Sequence, residues 1–348
     1  MKRKFLSFRM LRLVALIASI MAVLSHGVSS HAAAGGSKVV ISYGAVNARI
    51  APIWIAQEQR LFAKNGVDAE VILVRQIQVT VAGISTGEVQ IGYTSGSTLL
   101  GAAAGGLDVK MVAALNARVG YDLVAVPAIK SPKDLRGKRF GVQVFGGGLW
   151  MGAMLGLEHL GLDPQRDNIQ VIQVGDQTVL TQALEKGTID AAALDGVFSR
   201  KLKKEGLVIL AELNRANIPY IGLGLVLKSA FIRERPEALE GILKGFVEAI
   251  AFILSPKNKP VVLKTIMNHL RISDPAVAEE GFQDLVTGAE KKPFPSVEGL
   301  RNMQRLLLKI GNPKLANVKV EELIDDRNLR KLDESGFINR IYSEYGVK

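Results

Sequence analysis

The sequence predicts an α/β protein made of two related lobes, and three observations carry that prediction. Short β-branched runs alternate with helical segments, the pattern of parallel strands covered by helices. A helix–glycine–strand junction, Ile84-Ser85-Thr86-Gly87-Glu88-Val89-Gln90, is echoed by Leu184-Glu185-Lys186-Gly187-Thr188-Ile189-Asp190, and Gly96 is echoed by Gly196. About 310 residues remain after an N-terminal leader, which suits two domains.

The elements follow in order. Lys38–Tyr43 (KVVISY) is a short buried strand and Gly44–Ala51 a loop. Pro52 opens a helix through about Lys64, because proline fits a first helical turn, and Asn65-Gly66 ends it. Asp68–Val74 is the second strand, Val79–Ser85 a helix stopped by Gly87, and Val89–Tyr93 the third strand. The order then recurs. Arg139–Val144 is a strand, Gly146-Gly147-Gly148 leads into a helix that Gly161 stops, and Asn168–Val174 is a strand. Thr178–Lys186 is a helix stopped by Gly187, and Ile189–Leu194 a strand. Turn-rich Ser131–Lys138 marks the passage into the second lobe, with the return near Asn214–Gly224. From Pro236 onward helix-period spacing dominates, in Glu237–Leu254, Pro260–Leu270, Pro275–Thr287 and Val297–Ile310. These helices are expected to pack back on the first lobe. The division is a leader in residues 1–34, lobe one in 35–125 and 220–348, and lobe two in 126–219.

The leader carries Lys2, Arg3, Lys4, Arg9 and Arg12, an apolar run from Leu13 to Leu24, and the small residues Ser30-His31-Ala32-Ala33-Ala34. That is the pattern of a cleavable secretory signal, with cleavage after Ala32 or Ala34. The apolar run is shorter than the roughly 20 residues that span a bilayer. There is no cysteine, which removes disulfides, thiolate metal sites, a cysteine nucleophile and lipid attachment together. The expected product is periplasmic and not a lipoprotein. The formal charge is +11, and removing the leader's five basic residues leaves +6. The densest basic cluster, Arg200, Lys201, Lys203 and Lys204, is followed at once by Glu205 and reads as a solvated helix face. Nucleic acid is therefore not an expected partner.

Open parallel sheets bind ligands beyond the carboxyl ends of their strands. Two such lobes put a small-molecule cleft between Gly44–Ala51 and Thr94–Ser97 on one side and Val144–Trp150 and Leu194–Gly196 on the other. The candidate ligand contacts from lobe one are Asn47, Arg49, Trp54, Gln76, Tyr93, Thr94, Ser95 and Gly96, with Arg75 beside them. From the passage and lobe two they are Tyr121, Phe145, Gly147, Gly148, Trp150 and Asp195. Arg49 suits an anion, because a guanidinium grips a carboxylate or sulfonate with two bonds. The hydroxyls of Thr94 and Ser95 either cap the helix that follows or meet ligand. Asp195 either caps the next helix or accepts from a ligand. The two tryptophans either stack on a planar ligand or belong to the core. Gly146-Gly147-Gly148 lets backbone approach a ligand closely, but the Lys-Ser/Thr pair of a nucleotide loop is absent.

Ala51-Pro52-Ile53-Trp54-Ile55-Ala56-Gln57-Glu58 with Leu61-Phe62 and Gly66-Val67 resembles the opening of a known family. So do Gly87–Gly92 (GEVQIG), Ser131–Gly141 (SPKDLRGKRFG), Pro295–Leu300 (PSVEGL) and Glu334–Ile338 (ESGFI). That family is the substrate-binding proteins of the nitrate/sulfonate/taurine and thiamine-pyrimidine-precursor group of ABC transporters. The resemblance covers essentially all of the chain after the leader. It implies a type II periplasmic binding fold, with two Rossmann-like lobes crossed twice by the chain and a ligand cleft between them. It also implies a monomer that delivers its ligand to an ABC permease in the inner membrane. One departure stands out: Arg75-Gln76-Ile77-Gln78 occupies the place where the family usually has Gly-Gly or Gly-Ser.

The charge balance and Arg49 favour an anionic ligand, and the aromatic residues favour an aromatic or heterocyclic body. Two other readings compete, a ligand-sensing adaptor for a membrane receptor and a pyrimidine-precursor biosynthetic enzyme. Catalysis is not expected. Of four histidines, His26 and His31 lie in the leader, and His159 and His269 lie on no expected strand-end loop. No metal or other cofactor is expected.

Overall fold

The computed structural model describes residues 38–347. The leader and its cleavage point lie outside the described residues. Two five-stranded sheets carry the fold. Sheet one holds β1 (Val39–Tyr43), β2 (Ala69–Leu73), β3 (Ile91–Thr94), β4 (Val109–Arg118) and β10 (Pro219–Lys228), in the order β2-β1-β3-β10-β4. Sheet two holds β5 (Asp122–Ala125), β6 (Arg139–Val142), β7 (Gln170–Gln173), β8 (Ala191–Leu194) and β9 (Val208–Glu212), in the order β7-β6-β8-β5-β9.

The two orders are the same order. In each sheet the first strand pairs in parallel with the second and third. In each, a strand arriving from the other lobe is inserted antiparallel beside the third, β10 against β3 and β4, β5 against β8 and β9. The parallel pairing expected from the alternation is present between the first three strands of each sheet, and the inserted strand is antiparallel. A chain that crosses back from the opposite lobe enters the sheet running the other way. The lobe boundary is corrected: β5 belongs to the second sheet, so the first crossing falls between Arg118 and Asp122 and not at residue 125.

The helices repeat as well. In lobe one, α1 (Ala51–Glu58) and α2 (Leu61–Lys64) are separated by Arg60, whose φ of 55° breaks what the sequence reads as one helix. Then come α3 (Ile77–Thr86) and α4 (Gly96–Ala104). Lobe two has α5 (Gly148–His159), α6 (Gln177–Glu185) and α7 (Gly196–Lys204). Residues one hundred apart do the same work. Gln90 accepts from the backbone N–H of Val40 at 2.7 Å, and Asp190 from that of Arg139 at 2.8 Å, each pinning the first strand to the third.

The C-terminal helices are α8 (Ser229–Glu234), α9 (Pro236–Leu254), α10 (Lys259–Leu270), α11 (Pro275–Gly288), α12 (Val297–Lys309), α13 (Arg327–Glu334) and α14 (Phe337–Glu344). Of these, α9 packs against α1 and α2. A Cβ on Gly241 would stand 2.5 Å from the Asn65 carbonyl, and one on Gly245 would stand 2.6 Å from the Phe62 ring. The missing side chains on this i, i+4 face let the helix lie against α2. Phe62, Tyr93, Phe246 and Ile250 share that core.

Candidate functional site

The crossing strands form the floor between the lobes. Val119 donates to the Ile218 carbonyl at 3.1 Å, and Leu213 to the Tyr121 carbonyl at 3.0 Å, so the two passages run side by side. Above them β1 ends at Tyr43 and the chain turns. Asn47 caps a short 3₁₀ turn, its side chain accepting from the Arg49 N–H at 3.1 Å. That turn aims Arg49 across the cleft.

Arg49 is held on every side. Its Nη1 donates to the Gly120 carbonyl at 3.2 Å, and the guanidinium lies 4.9 Å from the Tyr121 ring centre. Its Nη2 stands 2.6 Å from Asp195 Oδ1, an ion pair between lobes. Burial opposes the charge most strongly, but Asp195 together with Tyr121, Asp284 and Tyr220 outweighs it, and the Arg49 pKa is raised. Asp195 therefore does not cap α7, which gets no side-chain cap from it. Its carboxylate takes the Gln177 side-chain N–H at 2.5 Å instead, and Gln177 accepts the Asp195 N–H at 2.6 Å.

This pair stands between two cavities, Arg49 lining both. One, of about 260 Å³, is lined by Gly44, Asn47, Arg49, Arg75, Tyr93, Thr94, Ser95, Asn116, Tyr121, Gly148, Tyr220 and neighbours, without a carboxylate among them. The other, of about 380 Å³, carries Asp176, Asp195 and Asp284 among apolar residues. The carboxylates are thus all on one side and the phenols on the other. Burial pushes the phenols of Tyr93, Tyr121 and Tyr220 up, so they stay protonated donors. Ser95 caps α4 through the Thr98 N–H at 3.3 Å and still lines the first cavity, so both readings of that hydroxyl hold. Arg75 follows β2, is exposed, and makes no hydrogen bond or ion pair among the described residues.

Of the fourteen residues singled out from sequence, Asn47, Arg49, Tyr93, Thr94, Ser95, Tyr121 and Gly148 meet at this first cavity, and Asp195 closes it from behind. The others are corrected. Trp54 is 1% exposed and stacks on His269, ring centres 4.2 Å apart, so it is core. Trp150 is also core, edge-on to Phe145. It lies two residues beyond Gly148, and at 100° per residue that turns it to the opposite face of α5. Gln76 sits at the exposed N-terminus of α3, while its neighbours Arg75 and Ile77 line the cavity. Gly147 caps α5 from outside the cavity. Gly96 is buried against Met303 and Leu300 of α12. Phe145 lines a different cavity.

Asn116, Tyr220 and Gly222 were missed. They stand on β4 and β10, which read as connectors. Their only sequence signal is general: in any two-crossing fold the crossing strands lie under the cleft.

Beneath the acidic side, Asp122 of β5 accepts from the Ser199 hydroxyl. Burial pushes its carboxyl up to about 6, the Ser199 bond offsetting part of that. A carboxyl raised on folding stabilises most below its unfolded value of 3.8 and loses that contribution as pH rises through about 6. Asp122→Asn removes the charge and keeps an acceptor. It is expected to gain about 2 kcal/mol in urea unfolding at pH 7.5 and nothing at pH 4. Equal gains at both pH values would contradict the burial argument.

Residues 47–259 match the family described as NMT1/THI5 like. The chain belongs to that family. Among curated relatives, a protein of Brucella abortus (strain 2308) named a "putative binding protein" is 27% identical over 206 residues, 57% of this chain and 61% of its own length. The chain thus matches about three fifths of the length of that relative. Two solved structures share the fold. The periplasmic aliphatic sulphonate binding protein SsuA from Escherichia coli is 17% identical with a TM-score of 0.66, over 83% of this chain and 92% of its own. The periplasmic nitrate-binding protein NrtA from Synechocystis PCC 6803 is 13% identical with a TM-score of 0.59, over 86% and 89%. The desulfurization enzyme DSZB also shares it, at 16% identity and a TM-score of 0.58 over 85% and 99%. At such identities the likeness is one of fold, the two-lobed periplasmic binding fold that the sequence resemblance implied.

Proposed function

We propose that this NMT1/THI5-like protein is a periplasmic solute-binding protein that captures a small anion between its lobes and delivers it to an ABC permease. One observation carries the reading. Arg75, without a hydrogen bond or ion pair among the described residues, presents its guanidinium to a cavity furnished with phenol and hydroxyl donors and with no carboxylate among its described lining. A cation with neutral donors around it suits a sulfonate or carboxylate. Arg49, the sequence's first candidate for that role, is neutralised by Asp195 and serves the frame of the site. The names of the sulfonate- and nitrate-binding fold neighbours agree with an anionic ligand.

Arg75→Gln is expected to weaken binding of the best sulfonate or carboxylate at least about tenfold by calorimetry, the worth of a charged hydrogen bond. Thermal stability without ligand should not change, because the side chain is exposed and unpaired. Retained affinity in this variant rules out the anion reading. Binding is also expected to compact the molecule through hinge closure, read by small-angle scattering.

A second reading comes from the fold neighbour named as an enzyme. Fold does not decide between binding and catalysis. Turnover of a bound sulfonate by the purified protein would establish the enzyme. A role as sensing adaptor differs only in what deletion abolishes, a signalling response and not uptake.

A further inference from the structure

Asn116 stands on β4 at a break in the first sheet. The pairing with β10 passes from Asn116–Leu223 straight to Ala114–Gly224, so Leu115 is an extra residue, a bulge. Bulges re-aim the side chains beside them. The Asn116 side chain lines the cationic cavity together with Arg75, Tyr121 and Tyr220. It is 8% exposed and makes no hydrogen bond among the described residues. Two glycines keep the space that its amide fills. A Cβ on Gly222 would collide with Asn116 Oδ1, and one on Gly288 would stand 3.3 Å from Nδ2. Gly222 itself lines the cavity, so the Oδ1 end of the amide is the end beside it. The hydroxyls on the same wall differ from Asn116, because Thr94 already donates to Thr98 and Ser95 shares a hydrogen bond with Ser97.

We infer that Asn116 reads a second, neutral polar group of the solute, so that the ligand is a small acid bearing a hydroxyl or an amide and not a plain hydrocarbon acid. The inference rests on the proposed anion site and adds this second contact to it. An amide offers an acceptor oxygen and two N–H donors. A buried amide that leaves them unused carries the cost of its lost hydration, and a partner that supplies the bonds removes that cost. Among the described residues no side chain or backbone group supplies them. Arg75 and Asn116 line one cavity of about 260 Å³, so a single small solute meets both. A site that hydrogen-bonds a solute group rejects the analogue lacking it, because the buried group of the protein is then left unpaired. Arg75 thus sets charge, and Asn116 sets which acids of that charge are held.

Calorimetry on matched pairs tests this, with lactate against isobutyrate and succinamate against isocaproate. Each pair is alike in size and charge and differs only in the polar group. Native protein is expected to favour the polar member of at least one pair by about tenfold or more. In Asn116→Leu, which keeps the bulk and removes the amide, that preference should disappear. The ligand-free melting temperature of this variant should hold or rise, because the amide it removes has no partner to lose. A lowered melting temperature with the preference intact makes Asn116 structural and overturns the inference. Asn116→Asp puts a carboxylate in the cavity and should weaken every acid by about tenfold or more. Unchanged acid binding in that variant means that the side chain does not reach the solute, which overturns the inference as well. Equal binding of both members of each pair by native protein overturns the second contact and leaves the anion site standing. Succinamide, neutral at both ends, separates the converse. If it binds as well as succinamate and is lost in Asn116→Leu, the Asn116 contact stands and the anion reading falls. Failure of all these compounds to bind removes both.

Discussion

Arg49→Met is expected to lower the unfolding free energy by about 3–5 kcal/mol, the usual cost of stranding a buried charge. The partner left behind is Asp195, whose side chain is only 14% exposed. Its remaining side-chain contact is the amide of Gln177. The mutation also takes the cation off the Tyr121 ring and the donor off the Gly120 carbonyl. Asp195→Leu should cost a similar amount, for it strands Arg49 in turn. The double variant, Arg49→Met with Asp195→Leu, should recover most of the loss, because neither charge then remains unpaired. Urea midpoints at constant slope measure all three. If the single variants each lose less than about 1 kcal/mol, the pair is screened as surface pairs are and the partition between the two cavities is not rigid.

Gly152→Val should be nearly as severe, by a different route. A Cβ on Gly152 would stand 2.3 Å from Tyr121 Cδ2 and 2.8 Å from Cε2, far inside contact distance. The Tyr121 ring is held between α5 and the Arg49 guanidinium, so it cannot shift without losing that contact. Overpacking of this kind costs about 3 kcal/mol. It should also cut anion affinity, because the displaced ring carries its hydroxyl out of the cavity. Gly101→Ala is the matched control. It lies on α4 with open space around it, and alanine in place of glycine should raise stability by up to about 1 kcal/mol. Equal effects at the two glycines would mean that the loss reports helix backbone and not the Tyr121 pocket.

Much of the architecture was legible because its signals are local. The glycines after α3 and α6, Gly87 and Gly187, mark the same junction in both lobes, and each strand that follows is short and apolar. That the crossings form inserted strands was not legible, for an equally physical reason. β10 opens on Pro219 and contains Gly222 and Gly224, residues that break a strand pattern, and its pairing with β4 slips register around them. β5 is four residues long. Both are stabilised by partners far away in sequence, which a local pattern does not reveal. The site shows the same division. The loops at strand ends were found from the repeat, and half of the residues picked on them meet at one cavity. What failed was direction. Trp54 and Trp150 were placed on the right helices and turn inward, and Arg49 was recognised as a cation without its counter-ion one lobe away.

The inserted strands bear on how the chain is made. A polypeptide leaving the ribosome has completed β1 to β4 by Arg118, yet β3 and β4 cannot join, because the strand that belongs between them ends at Lys228. For that interval the first sheet is two separate pieces with open edges. Its closure waits on an encounter between segments more than one hundred residues apart, a slow step by contact order. The first sheet is therefore expected to be completed only after Lys228 has been made.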